Sequence, residues 1–274
     1  MRKTAGSTLS AILRQSFLSR HCDVRVRSNR QRFDPIVEPA ELRRMLVLYP
    51  NAASIAGHGV VPFMNLEDVV PGVRYYTIVR KPLERCASDY QFRVQRGGLQ
   101  TPFEEWIQLP YARNHQVRKL APDGRAETAI EMLRKRLGFV GITERFHESL
   151  IMFRRWCGSP ELDIRYRSKN VASNNDIKRE LMSDRRSRQQ LLEANLEDLR
   201  LYAAANEVFL EQRAEYGDSL SDEVAEFEAT NFPTAKYPRQ IPSMLKRELL
   251  YKPVSIPLSH RVNPPLDDGY RRAA

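Results

Sequence analysis

Apolar positions recur at helical spacing from Leu9 through Ile12, Leu13 and Phe17, with Ser16 on the same side. This pattern predicts an amphipathic helix near the start of the chain, which Ser7 or Thr8 is placed to cap. Valines at 24 and 26 predict a short strand over Cys22–Arg27. A helix over Ala40–Leu48 follows Pro39, and a small-residue strand over Ala53–Gly57 ends in Gly57-His58-Gly59. Val73–Val79 is a nearly continuous apolar run, as in a parallel sheet buried on both faces. Past Arg80-Lys81-Pro82 a helix runs over Leu83–Val94, with the proline near its start where a missing N–H costs little, and Gly97-Gly98 stops it. Further helices are predicted over Phe103–Leu109, Arg113–Leu120 and Glu127–Leu137, then a buried strand over Phe139–Thr143. A helix over Glu144–Cys157 follows, and a long one over about 184–214 carries Leu192, Leu196, Leu199, Ala203 and Leu210 as its stripe. Strands alternating with helices predict an α/β domain over residues 1–216, with ligands at the carboxyl ends of the strands, where His58 and Arg80 fall. Residues 217–274 hold seven of the 17 prolines and little periodicity. They are expected to form an irregular tail, packed on the domain or partly disordered.

Composition narrows the class. With 274 residues and 42% hydrophobic content the chain can bury the core of one large α/β domain or two small ones. No stretch approaches the roughly 18 apolar residues of a membrane span, and the first residues lack the apolar segment of a secretory signal, so a soluble cytoplasmic protein is expected. Cys22, Cys86 and Cys157 are odd in number and far apart, which suits reduced thiols better than a disulfide frame or a zinc site. The formal charge is +10, and since residues 217–274 carry eight Lys/Arg against eight Asp/Glu, the whole excess lies in 1–216. That part should attract anions. A nucleotide, an acidic polymer and nucleic acid would satisfy it equally.

Candidate chemistry starts at Lys3-Thr4-Ala5-Gly6-Ser7-Thr8, which runs straight into the first helix. Gly6 lets the backbone approach a phosphate, the helix N-terminus carries about half a positive charge, and Lys3 adds a full one. A Walker A loop places its lysine after its second glycine, whereas here the lysine precedes the only glycine. The six residues instead resemble the 5′-phosphosulfate loop of sulfotransferases that use 3′-phosphoadenosine 5′-phosphosulfate (PAPS), in particular the carbohydrate branch that includes the heparan sulfate 2-O-sulfotransferases. Four further stretches match in the family's order: Gly57-His58-Gly59, YYTIVRKPLERCASDY at 75–90, VGITERF at 140–146 and DLRLYAAANEVF at 198–209. The resemblance covers roughly residues 1 to 214.

The resemblance implies a P-loop-like, three-layer fold with a central parallel sheet flanked by helices. It implies that Lys3, Thr4, Ala5, Gly6, Ser7 and Thr8 hold the 5′-phosphosulfate, that Arg80 and Ser88 hold the 3′-phosphate, and that His58 is the general base. Lys3 assists the leaving phosphate. The eight-residue separation lets a guanidinium and a hydroxyl converge on one anion. PAPS is then the co-substrate, no metal is expected, and the acceptor is a hydroxyl group, most naturally on a saccharide rather than a nucleic acid. Asn114 and Gln116 resemble an acceptor-side segment, with a polar helix face as the alternative. Arg165, Arg167, Lys169 and Asn170 form a basic stretch that either lines a cleft or lies in a solvated loop. Two rival classes remain: a P-loop kinase, which lacks the lysine order and a clear acidic strand end for magnesium, and a non-catalytic binder of anions on the same fold. Members of the family carry a hydrophobic strand directly before the lysine loop, whereas only Met1-Arg2 precedes Lys3 here. The expectation is therefore a natural start roughly ten or more residues upstream, the alternative being a true truncation with a loosely held loop.

Overall fold

The computed structural model describes residues 1–24, 36–166, 174–231, 237–254 and 257. The first helix, α1, spans Gly6–Phe17 and buries Leu9, Ile12, Leu13 and Phe17, the stripe its spacing predicts. Neither Ser7 nor Thr8 caps it. Ala5 holds the N-cap position in a left-handed conformation, which starts the helix early enough to draw both hydroxyl residues into its first turn.

After a 3₁₀ turn, β1 (His21–Asp23) leads toward α2 (Pro39–Leu48), whose start is fixed by a capping box between Glu38 and Glu41. Arg25–Arg27, the end of the strand expected over 22–27, lie outside the described residues. β2 (Ser54–Ala56) runs parallel to β1, with Cys22 opposite Ile55. β3 (Tyr75–Val79) is followed by α3 (Pro82–Gly97), which closes at Gly98 with φ 67°, a left-handed stop that a side chain would resist. Then come α4 (Phe103–Trp106), α5 (Ala126–Arg136) and β4 (Leu137–Ile142), the last parallel to β3 with Ile78 opposite Gly141. The helical remainder consists of α6 (Phe146–Cys157), α7 (Asp176–Ser183), α8 (Arg185–Ala194), α9 (Leu196–Tyr216), α10 (Ser219–Thr230) and α11 (Tyr237–Lys246).

The architecture is mixed α/β and mostly helical, with two separate two-stranded parallel sheets. One central sheet was expected; instead β2 and β3 do not pair, and a cavity lies between them. The main core surrounds β3 and β4, where Val79, Val140, Leu150, Leu201 and Phe209 are fully buried and α1 contributes Ile12 and Leu13. A second cluster packs Cys86 of α3 against Trp106 and Leu191, and a third gathers Cys22, Leu42, Met45 and Tyr75 around the other sheet.

Local chemistry explains the remaining departures. The expected helix over Arg113–Leu120 is only a 3₁₀ turn at Val117–Lys119, because Asn114 is left-handed (φ 42°) and its side chain caps α9 by accepting from Glu197 N and Asp198 N at 3.1 and 3.3 Å. The long helix over 184–214 divides at Asn195, whose side chain donates back to Leu191 O at 2.7 Å, and Asp184 caps its first half by accepting from Ser187 N. The tail read as irregular contains α10, which packs Leu220, Val224 and Phe227 against the main core beside α6, and α11. Their apolar spacing is regular, and all but two of the region's prolines lie outside these two helices. The three cysteines are free thiols, and no described helix is long and apolar enough to cross a membrane.

Candidate functional site

The Lys3–Thr8 loop enters α1 through two left-handed residues that are not glycine, Lys3 (φ 61°) and Ala5 (φ 58°). An L residue in this conformation costs about 1–2 kcal/mol, so the loop is held in its shape by its surroundings. Gly6, the residue expected to supply freedom, has an ordinary backbone and room for a side chain beside it. The amides of Gly6 and Ser7 start α1 and have no carbonyl of their own helix to donate to, while Thr8 N and Leu9 N both donate to Ala5 O. The first turn carries no acidic side chain. These features suit an anion at the helix start.

α3 presents the second half. Glu84, Ser88 and Phe92 recur every fourth residue along one of its faces, continuing from Arg80 at the end of β3. Arg80 pairs with Glu84 at 3.6 Å and its Nη1 donates to Lys3 O at 3.1 Å, and Lys3 Nζ sits 4.6 Å from the centre of the Phe92 ring. Lys3, Arg80 and the half-buried Ser88 are therefore gathered along one stripe. Burial pushes the Lys3 ammonium below its usual range, with Arg80 and Arg2 adding to the effect and Asp89 opposing it. Glu84, held ionised by Lys178 and Arg80 against the effect of burial, competes for the Arg80 guanidinium.

His58 lies across a cavity of about 580 Å³ from the loop, lining it together with Thr4, Gly6, Ser7 and Lys119. The ring is exposed to that cavity, while protein crowds it elsewhere. Burial, the Met1 ammonium, Arg2 and Lys119 all push its pKa down, against Asp89, so the imidazole is neutral at pH 7. No described side chain hydrogen-bonds the ring. The glycine before it has a packing reason of its own: a Cβ on Gly57 would stand 2.7 Å from Val24 O.

The sequence reading missed a buried charge cluster beneath the loop. Asp89, one residue past Ser88, is 2% exposed and faces Arg2 at 3.5 Å, Arg93 at 3.5 Å and Arg85 at 3.9 Å. Burial would raise its pKa, but the three guanidiniums hold it below the usual carboxylate range. Arg85 is fully buried, and none of its nitrogens has a hydrogen-bond partner. One carboxylate among three arginines, with Lys3 and Lys119 close by, leaves a cationic excess. Its signal was the four-residue spacing of Arg85, Asp89 and Arg93.

Other candidates prove structural. Gln116 is fully buried; it accepts from Arg80 N at 2.9 Å and donates to Arg80 O at 2.8 Å. Its own N–H and that of Val117 donate to Asp198 of α9. Glu144 accepts from Lys81 N at 3.0 Å, and Thr143 donates to Val79 O at 2.9 Å. The VGITERF and DLRLYAAANEVF stretches thus brace the strand end that carries Arg80. Arg165 is paired with Asp163 at 2.8 Å, and Arg167, Lys169 and Asn170 lie outside the described residues. Among the described residues no cluster of His, Cys, Asp and Glu is arranged to hold a metal. Neither a protein-family model nor a curated protein sequence matches the chain.

Proposed function

We propose that the chain binds a 3′-phosphoadenosine nucleotide between the Lys3–Thr8 loop and the Arg80–Ser88 stripe, and transfers a sulfuryl group from PAPS to a hydroxyl, most naturally of a saccharide. The observation that carries this reading is the loop itself: a strained, cation-rich turn at a helix N-terminus, tied to Arg80 and facing a histidine across a cavity. In the proposed reaction the acceptor oxygen bonds to sulfur as the bond from sulfur to the phosphate oxygen breaks. The acceptor proton passes to His58, and adenosine 3′,5′-bisphosphate leaves with the electron pair. Lys3 and the amides at the start of α1 stabilise charge on that leaving phosphate. A neutral His58 is in the right protonation state, and phosphate charge beside it would raise its basicity by offsetting Met1, Arg2 and Lys119. Arg80 would exchange the half-exposed Glu84, a partner worth little, for the 3′-phosphate.

A second reading, a nucleotide binder without turnover, draws on the absence of any described side chain that orients the His58 ring. Titration calorimetry separates both from a chance resemblance. Adenosine 3′,5′-bisphosphate is expected to bind at least tenfold more tightly than AMP, since a charge-assisted contact contributes about 1.5–3 kcal/mol. Arg80→Ala is expected to erase most of that difference. Equal affinities for the two nucleotides in the unaltered chain would remove the proposal, and tight binding without transfer to any saccharide hydroxyl would favour the binder.

A further inference from the structure

Helix α11 continues through a π-helical turn at Arg247–Tyr251 as far as Val254, and its two sides are the reverse of an ordinary surface helix. An amphipathic helix on a globular domain turns its apolar side to the core. Here Ser243, Arg247 and Tyr251, each four residues from the next, face the domain. Ser243 and Tyr251 are buried, Arg247 pairs with Asp23 at 3.4 Å, and the Tyr251 ring packs edge-on against Tyr49. Lys246 Nζ donates to Ser19 O at 3.3 Å and lies over the Tyr49 ring. The opposite side carries Ile241, Met244, Leu245, Leu249, Leu250 and Val254, which are 39 to 66% exposed. More than half of the large hydrophobic side chains that stand exposed among the described residues are on this one element. Scattered exposed hydrophobic residues need no explanation, whereas a contiguous set of them marks a contact surface.

Charge decides what covers it. Between 241 and 254 a single acid, Glu248, stands against Lys246, Arg247 and Lys252, and Glu248 is itself held by Arg247 and Lys252. The three cations are half-buried beside the apolar face, where the Lys and Arg of a helix lying on a membrane reach lipid head groups. α2, which packs on the 247–251 turn, adds the same combination: an exposed Arg43 and, one turn on, an exposed Val47. The chain as a whole carries a formal charge of +10. A second copy pressed on this face would bring like charges together about the two-fold axis, whereas an anionic lipid surface complements them. A helix laid flat among head groups also needs no matching groove in its partner.

We propose that 241–254 is a membrane-docking face, which lies in the plane of an anionic lipid bilayer with Leu245 and Leu249 toward the acyl chains and the neighbouring cations toward the head groups. Arg247 also lines the cavity beside His58, so docking holds that cavity close to the lipid surface. The inference concerns where the chain is held and does not rest on the nucleotide reading.

Cosedimentation of the whole chain with vesicles tests it. Vesicles of equal parts phosphatidylcholine and phosphatidylserine are expected to bind the chain at least about tenfold more tightly than phosphatidylcholine alone. Leu245→Ser combined with Leu249→Ser keeps the charge and should lower affinity for the anionic vesicles at least about tenfold. Both positions face solvent, so the melting temperature should stay within about 2 °C. Should the pair unfold, Leu249→Ser alone decides by the same comparison. No binding to the anionic vesicles would overturn the proposal, and so would undiminished binding by the serine variant, which would mean attraction through net charge only. A dimer in lipid-free solution that the same substitutions dissociate would also overturn it, by placing a second copy on the face.

Discussion

β3 and β4 belong to the larger and more closed core, although β3 also borders the cavity, whereas β1 and β2 flank that cavity with only a smaller cluster behind them. In the first pair Val79, Val140 and Ile142 are almost wholly buried, and α1, α6 and α9 cover the strands. In the second, all three residues of β2 remain partly exposed, and the sheet is held by a smaller cluster and by polar ties. The candidate site lies where the two regions meet. Arg80 comes from the closed half, braced by Gln116 and Asp198, while His58 comes from the open half with no hydrogen-bonded support. The nucleotide-side groups are therefore more firmly positioned than the proposed base.

Core truncation should expose this difference most strongly. Phe209→Ala removes a fully buried ring from the β3–β4 side and is expected to cost about 3–5 kcal/mol in urea unfolding. Ile55→Ala, beside the existing cavity, should cost about 1.5 kcal/mol or less, since the partly exposed side chain loses fewer contacts. Similar costs would mean that the two halves are equally consolidated.

His58 and Lys3 sharpen the comparison at the site. His58→Ala is expected to lower sulfuryl transfer at least about 10²-fold, with nucleotide affinity nearly unchanged. Lys3→Ala should weaken nucleotide binding more than His58→Ala does, besides slowing turnover. Full activity in His58→Ala would assign the proton to another group.

A smaller effect, confined to the open half, concerns Asp23. Burial would raise its pKa, but hydrogen bonds and charge from His21 and Arg14 bring it down to about 2, from an ordinary 3.8. A carboxylate whose pKa is lowered by folding adds stability above the ordinary value and loses it as pH falls through the folded value. Between pH 4 and pH 2 the chain should therefore lose about 2 kcal/mol on this account. Asp23→Asn should abolish that part of the acid dependence in urea melts at a series of pH values; an unchanged profile would show that Asp23 does not couple α1 to β1.

Helix and strand positions were legible wherever burial is periodic along the chain. The stripe Leu9, Ile12, Leu13 and Phe17 predicted α1, and the run Val73–Val79 predicted the strand found at Tyr75–Val79, because each pattern reports its own environment. α10 was missed although Leu220, Val224 and Phe227 stand at helical spacing, because the prolines beyond it dominated the reading of residues 217–274. Arg80 was legible as a charge at a strand end and Lys3 as one before a helix, and the fold brings both alongside the face of α3 that carries Ser88. What only the tertiary structure decided are relations between distant segments. The break at Asn114 depends on α9, some 80 residues later in the chain, whose first amides its side chain caps. The low basicity of His58 depends first on burial and then on Met1, Arg2 and Lys119, and the buried role of Asp89 on Arg2. The division into two sheets likewise appears in neither strand's pattern. A strand's residues report which faces are buried, whereas the partner on each edge is chosen by backbone hydrogen bonds, to which every residue but proline contributes alike.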